Sequence, residues 1–362
     1  MTDKTKTFEI FETPRGKACR GPGYNYVFSK EDGSFARWGD TKEEDPQWAP
    51  PGPEILDLEI SVDGCPNACT FCYKENKATP ATNMTLATFK AIMDRMPKTL
   101  TQIAFGITGI QTNPDFIPML AEARKRGVVP NFTLSGIDLT PEIAAECANY
   151  IGAVAVSLYE KDLAPGLEAI RLFTELGINQ TNVHLMVSEE TLPFVRRILE
   201  ERRSDPKGIL GAVNCFVLLG VKPKGRAKVG EGFHSLPVEK FTDLVKYALG
   251  NDVPIGFDSC SAPKFEAAVR SMDLPQAQLD ALIQVAESCE SGLFSSYIDV
   301  SGIYWPCSFT EGFEGIQGMN VLEHDSFLEI WHGPEVSKWR KGLLATAVNG
   351  CRFCPAYPEI NP

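Results

Sequence analysis

Residues 55–73 read ILDLEISVDGCPNACTFCY, an apolar run that ends in a loop of three cysteines. The run at 55–62 reads as a β-strand, and five further strand-like runs follow it. They are TQIAFGI (101–107), VVPNFTL (128–134), GAVAVSL (152–158), TNVHLMV (181–187) and AVNCFVLL (212–219). Helix-like stretches fall between them at 85–96, 114–126, 140–150, 165–176 and 190–203. Asn113-Pro114-Asp115 and Thr140-Pro141-Glu142 give helix starts, each with a cap residue, a proline in the first turn and an acid near the positive end of the helix. Six strands alternating with helices predict a parallel sheet with right-handed crossovers, closed as an α/β barrel or open. Chemistry in such a fold gathers at the carboxyl ends of the strands, and the three-cysteine loop sits at the end of the first one.

Working outward, residues 1–52 read as an irregular N-terminal extension. One small hairpin turns at Asp32-Gly33 within it, and PPGP at 50–53 closes it off. The segment 53–228 holds the alternating pattern. After Lys228 the rhythm breaks, and 229–362 reads as a smaller α+β unit with helices near 237–249 and 275–288, a short strand at 254–257, a hairpin around Ser301-Gly302 and an amphipathic stretch at 326–341. The chain has 362 residues, 43% hydrophobic and 23% charged, which is ordinary globular usage. With 35 basic and 47 acidic residues the net charge is −12, a balance that repels a phosphate backbone, so nucleic acid is not an expected partner. The first ten residues are polar and no apolar run is long enough to span a membrane, so a cytoplasmic protein is expected. In that reducing compartment the closely spaced ones among the eleven cysteines point to metal ligands or catalytic groups rather than disulfides.

Cys65-x3-Cys69-x2-Cys72 offers three thiolates within eight residues. Iron–sulfur clusters are held by cysteine thiolates and take four, so three leave one iron open to a substrate or cosubstrate. A zinc knuckle would bring paired cysteines at a second position instead. This loop, with Phe71 just before its last cysteine, resembles the signature of the radical S-adenosylmethionine enzymes. The resemblance implies a partial (βα)6 TIM-like barrel. It makes Cys65, Cys69 and Cys72 the ligands of a [4Fe-4S] cluster whose open iron is chelated by S-adenosylmethionine, and it lays Phe71 against the adenine. Reductive cleavage would then give a 5′-deoxyadenosyl radical that takes a hydrogen atom from substrate, with a flavodoxin or ferredoxin as electron donor. The family's glycine-rich turn after strand two corresponds to FGITGIQTNPDF (105–116). Gly106, Thr108, Gly109 and Gln111 stand there without the usual glutamate. Ser135, Ser157 and His184 fall at strand ends, where the resemblance implies further cofactor contacts, and His184 reads equally as a core histidine.

A second constellation is Cys289-x12-Gly302-x4-Cys307 with Cys351-x2-Cys354. Four thiolates make a closed site. The arrangement resembles the twitch domain, the short form of the SPASM extension, which implies one auxiliary [4Fe-4S] cluster on these four residues. The chain ends eight residues after Cys354, so a second auxiliary cluster is not expected. Cys260 reads as an alternative auxiliary ligand, as a catalytic hydrogen-atom donor or as a small hydrophobe. Cys147 and Cys215 read as core, and Cys19 carries no readable role. The basic stretch VKPKGRAKVG (221–230) reads as an anion-binding rim or a solvated loop. The expected product is an oxidised or cross-linked one, and the substrate is a small molecule or a ribosomally made peptide. A non-catalytic iron–sulfur or zinc protein is the reading from another class.

Overall fold

The computed structural model describes residues 7–67, 69–227 and 232–362. Residues 9–38, expected as an irregular extension, fold into an antiparallel meander of β1 (Glu9–Glu12), β2 (Gly16–Arg20), β3 (Asn25–Ser29) and β4 (Phe35–Trp38). The Asp32-Gly33 hairpin is there, with Gly33 at φ +76° and the Asp32 carboxylate accepting the Ser34 amide. It is half of a sheet rather than an isolated hairpin. The missed strands are short and charged, with Lys17 of β2 turned inward onto the Leu100 carbonyl (2.6 Å), and their stability is tertiary: Cys19, Tyr24, Tyr26 and Phe28 are buried against Leu293, Phe294 and Leu343 from the far end of the chain.

The large sheet begins with β5 (Ile55–Glu59). A two-stranded ribbon, β6 (Ser61–Val62) and β7 (Thr82–Asn83), follows it and carries the cysteine loop between its arms. Then come α1 (Leu86–Arg95), β8 (Gln102–Gly106), α2 (Phe116–Lys125), β9 (Val129–Leu134), α3 (Pro141–Ala148), β10 (Ala153–Ser157), α4 (Ala164–Glu175), β11 (Gln180–Val187), α5 (Leu192–Ser204) and β12 (Cys215–Gly220). Thr140 caps α3 by accepting the Ile143 amide, as its sequence suggests. Asn113 acts differently. It is buried ahead of α2, and its side-chain amide donates to the carbonyls of Ile60 and Met84, so it ties the second crossover to the cysteine ribbon.

The sheet order is β13-β12-β11-β10-β9-β8-β5-β14-β15-β16, with β13 (Ile255–Phe257), β14 (Ser295–Ile298), β15 (Ile303–Trp305) and β16 (Met319–Asn320). From β13 to β14 every pairing is parallel, and β15 and β16 turn back antiparallel. The six expected strands are thus flanked by one more parallel strand on each side. Alternation sets two faces. Leu56, Leu58, Phe132, Val154, Val156, Val183, Leu185, Phe216 and Leu218 pack into the core with the helices. The alternate residues, among them Asp57, Ala104, Asn182, His184 and Val217, face the other way, into the concave side of the sheet.

The boundary expected at 228/229 lies outside the described residues. The sheet itself carries β12 before that point and β13 and β14 after it. In the C-terminal part α6 (Val238–Gly250) is followed by α7 (Ala262–Arg270), which sequence reading passed over, and by α8 (Gln276–Gln284), which stops short of the expected 288. The stretch at 326–341 is two helices, α9 (Phe327–Trp331) and α10 (Pro334–Ala345). The break falls at Gly333-Pro334, since a proline has no amide to continue the ladder and is suited to a first turn. Among the described residues no helix is long and apolar enough to cross a membrane.

Candidate cluster and cofactor site

The three-cysteine loop leaves the carboxyl end of β5 through Asp63 and Gly64, both at positive φ. It is held from within: the Gly64 amide donates to the Thr79 carbonyl (2.8 Å), Cys65 to Lys77 (3.0 Å), and Cys72 to Cys69 (3.3 Å). It is also held from outside. Arg226 donates through Nε to the Cys69 carbonyl (2.8 Å), through Nη1 to Asn76 (3.0 Å), and through its own amide to the Cys72 carbonyl (3.0 Å). Gly225 beside it has φ +62°, and a Cβ there would stand 2.5 Å from the Tyr73 carbonyl oxygen. The basic stretch is therefore neither a rim nor a solvated loop where it is described. Lys224 also bridges, donating to the carbonyls of Ser308 and Glu311 (both 2.9 Å), and Lys222 is buried. Its remainder, 228–230, lies outside the described residues.

Cys65, Cys69 and Cys72 are half-buried and free, and no disulfide forms among the described residues. Burial raises the Cys69 thiol, and the hydroxyl of Tyr159, hydrogen-bonded to it, offsets part of that rise. Tyr159 is in turn hydrogen-bonded to Ser157 at the end of β10, so Ser157 reaches the loop through Tyr159. Phe71 stacks on Tyr159 (centroids 6.1 Å) and meets Phe233 edge-on (5.5 Å).

Immediately behind the loop, Lys74 Nζ lies 2.9 Å from Glu59 Oε1, pairs with Glu311 and donates to the Tyr297 hydroxyl (2.7 Å). Tyr297 in turn donates to Glu59 Oε2 (3.1 Å). Tyr73 and Phe309 rings pack at 4.4 Å. The cysteine loop is thereby locked to the segment that follows Cys307. Sequence spacing held no signal for this, because Glu59 and Glu311 belong to different halves of the chain.

The turn after β8 lies alongside. Glu59 pairs with Gly106 across the sheet, so Ser61 and Thr108 stand two residues beyond the pair, and Asn83 is the ribbon partner of Ser61. Ser61 Oγ, Thr108 Oγ1 and Asn83 Oδ1 are all buried without a hydrogen-bond partner. Three orphaned polar atoms gathered at one strand end are groups that a bound polar cofactor would satisfy. Gly109 and Gln111 are gripped from the next crossover. Asp138 accepts the amides of Ile110 (3.1 Å) and Gln111 (2.9 Å), the Gln111 side-chain amide donates to the Asp138 carbonyl (2.7 Å), and a Cβ on Gly109 would stand 2.8 Å from Asp138 Oδ2. Asp138, which sequence reading did not single out, commits both carboxylate oxygens to the backbone amides of the turn. Gly106 is exposed at the strand end, and Ser135 directly follows β9. His184 pairs with Ser157 across the sheet, and burial lowers its pKa to about 4, so the ring is neutral. Asp57, also concave-facing, is raised to about 6 by burial.

Around Lys222 a second group assembles. Lys222 and Cys260 line one small cavity, and Cys260 and Cys354 pack on the patch of Ala356, Tyr357 and Ile360. Burial pushes the Cys351 thiol up to about 12, with Glu266 adding to the rise. Burial pushes Cys260 and Cys289 up to about 12. Cys19 and Cys147 are fully buried in apolar clusters. Cys215 stands against the backbone of β13, at 3.1 Å from where a Gly256 Cβ would be. Among the described residues no group of three or more Cys, His, Asp or Glu side chains is set to hold a single metal ion. A cubane makes a different demand, since its thiolates attach to separate irons and stand around it rather than converging. Three free thiols on one braced loop supply ligands of the kind it takes.

No protein-family model matches the chain, and no curated protein does. Solved structures do. Streptococcus suis SuiB bound to its precursor peptide SuiA superposes over 97% of this chain and 94% of SuiB, with a TM-score of 0.67 and 12% identity. The chain shares that fold. SuiB bound to S-adenosylmethionine matches over 94% and 91%, with a TM-score of 0.63 and 12% identity. Native anSMEcpe with bound AdoMet and Cp18Cys peptide matches over 80% and 83%, with a TM-score of 0.57 and 13% identity. The fold class expected from the six strands, a partial (βα)6 TIM-like barrel, is thereby borne out.

Proposed function

We propose that this protein is a radical S-adenosylmethionine enzyme that oxidises or cross-links a peptide substrate, working in the cytoplasm with a flavodoxin- or ferredoxin-type electron donor. The observation that carries the reading is the three-thiol loop at the carboxyl end of β5, braced by Arg226 and bordered by the orphaned Ser61, Asn83 and Thr108 side chains. The superposition on SuiB and anSMEcpe, both seen with AdoMet and with peptides, supports the cofactor and favours peptide over small molecule.

Cys65, Cys69 and Cys72 would hold the four-iron cluster, and bound S-adenosylmethionine would supply the hydrogen-abstracting radical. The chain's own residues do the rest. Thr108, Ser61 and Asn83 offer polar atoms to the cofactor's methionyl end, and the Asp138 clamp fixes the 109–111 backbone in position to join them. Phe71 and Tyr159 form the aromatic wall. Ser135, Ser157 and the neutral His184 line the concave face, where neutrality matters because a charged imidazolium would call water into a cavity that must stay dry. The Glu59–Lys74–Tyr297–Glu311 network holds the C-terminal segment over the mouth.

Co-expression with the short peptides encoded beside the gene tests the substrate class. One of them is expected to lose the mass of two hydrogens, only with intact Cys65, Cys69 and Cys72. If every such peptide is unchanged while a small metabolite is consumed in the same cells, the peptide assignment is wrong.

A further inference from the structure

The concave side of the large sheet is an open hollow. Along β8, β9, β11 and β12 the residues packed under the helices are buried, while those alternating with them keep partial exposure. In one row across this hollow the register sets Asp57, Ala104, Asn131, Ala153 and Gln180 side by side. The alanines are too short to fill the space, and the two amides carry no charge. Asn131 is moreover committed, donating to Gln102 Oε1 (3.0 Å) and accepting the Ala153 amide (2.8 Å). On its other side Asp57 pairs in register with Tyr297 of β14, whose hydroxyl is taken by Glu59, Glu311 and Lys74.

Among the described residues Asp57 makes no hydrogen bond and no ion pair, and it keeps partial exposure to the hollow. Glu59, two residues on and on the same face, has both Lys74 and Tyr297. Burial raises the Asp57 carboxyl to about 6, so it is ionised at neutral pH. The other titratable groups facing this part of the hollow are Glu59, Tyr73, Lys74, Tyr297, Glu311 and the neutral His184. Lys74 is already shared between Glu59 and Glu311, so no cation of the chain is left for Asp57. A sheltered carboxylate that holds nothing together is costly, and its partner is to be sought in a ligand. Its depth argues against the cofactor. Asp57 lies two residues, about 7 Å, further into the sheet than the Glu59–Gly106 pair, and Ser61 and Thr108 stand beyond that pair on the opposite side.

We propose that Asp57 is a specificity-determining residue that receives the ammonium or guanidinium group of a basic residue in the substrate peptide. The inference rests on the reading of the chain as a peptide-modifying radical enzyme, and it names the kind of side chain that enters the hollow. Lysine and arginine carry their charge on a long, flexible apolar stem, which suits a deep carboxylate reached past alanine walls.

The full chain, reconstituted anaerobically and with S-adenosylmethionine bound, is titrated by calorimetry with n-butylammonium, n-butylguanidinium and, as a neutral control, pentanamide. The parent is expected to bind one or both cations roughly tenfold more tightly than pentanamide, and the preferred cation tells lysine from arginine. D57N and D57S should lose that margin and D57E should keep most of it. Iron content and thermal melting show that the variants are folded, and D57N should melt no lower than the parent because no bond is lost. In the parent the margin should grow as pH rises from about 5.5 to about 7.5, as the carboxyl ionises, and stay flat in D57N. Equal binding of cations and pentanamide, or an undiminished margin in D57N and D57S, overturns the assignment and leaves the radical reading standing. Loss of S-adenosylmethionine binding in D57N gives Asp57 to the cofactor and overturns it as well. A parent chain that never binds S-adenosylmethionine contradicts the enzyme reading, and the proposal falls with it.

Discussion

Tyr159 shows how one residue outside the cysteine motif serves the motif. Its ring backs Phe71 and its hydroxyl reaches Cys69. Hydrogen bonds to a charged sulfur contribute about 1.5–3 kcal/mol, so Y159F should fold normally yet surrender iron to a chelator roughly tenfold faster than the parent, followed by absorbance. Equal rates would show that the hydroxyl does not support the cluster. His184 makes a prediction with a definite sign. Its folded pKa of about 4 lies below the ordinary 6.5, so between these values the unfolded chain binds a proton that the folded one does not. Stability from its neutral burial is complete above about pH 6.5 and is lost as pH falls toward 4, by up to about 3 kcal/mol. Urea titrations of H184N should therefore show a flatter acid limb than the parent, and parallel limbs would refute the assignment. The cysteines were legible because their spacing is local. Tyr159, Asp138 and Arg226 were not, since each reaches the site from another crossover and only the sheet's register brings them there.

At the scale of elements, β5 and its loop are one unit with the segment after Cys307 through Lys74. Its partner Glu59 is almost fully buried, so removing the ammonium leaves that carboxylate with only the Tyr297 hydroxyl, at a cost of about 3–5 kcal/mol. K74M should thus open the 63–81 loop to protease before the rest of the chain melts, and E59Q with K74M should recover much of the resistance. A K74M loop as resistant as the parent's would mean that the network is ornamental. The six barrel strands and their helices were readable because each strand buries one face under helices and shows the matching period. The strands β1 and β2 were not, being short and stabilised by aromatic contacts with residues 293–343. α7 escaped notice because a Ser-Ala-Pro start after a cysteine looks like a loop until Phe265, Ala268 and Val269 are seen in the core.

Across the whole molecule the two ends of the chain are clasped. Arg37 of β4 pairs with Glu54 (3.1 Å) and Glu290 (2.7 Å) and lies 3.7 Å over the Phe294 ring, joining the N-terminal sheet, β5 and the C-terminal segment at one point. R37M leaves Glu290 without its guanidinium and Glu54 with only the Tyr24 hydroxyl, and should cost about 3–5 kcal/mol in urea unfolding, with E54Q and E290Q together relieving it. A change below about 1 kcal/mol, the scale of an exposed pair, would mean that the clasp is peripheral. The central claim is that the loop of Cys65, Cys69 and Cys72 supports reductive cleavage of S-adenosylmethionine, and anaerobic reconstitution followed by dithionite reduction tests it. The account predicts 5′-deoxyadenosine and methionine from the intact chain and none from C65A, C69A or C72A. Protein that holds its full complement of about eight irons and binds S-adenosylmethionine, yet never releases 5′-deoxyadenosine with or without peptide, would contradict it.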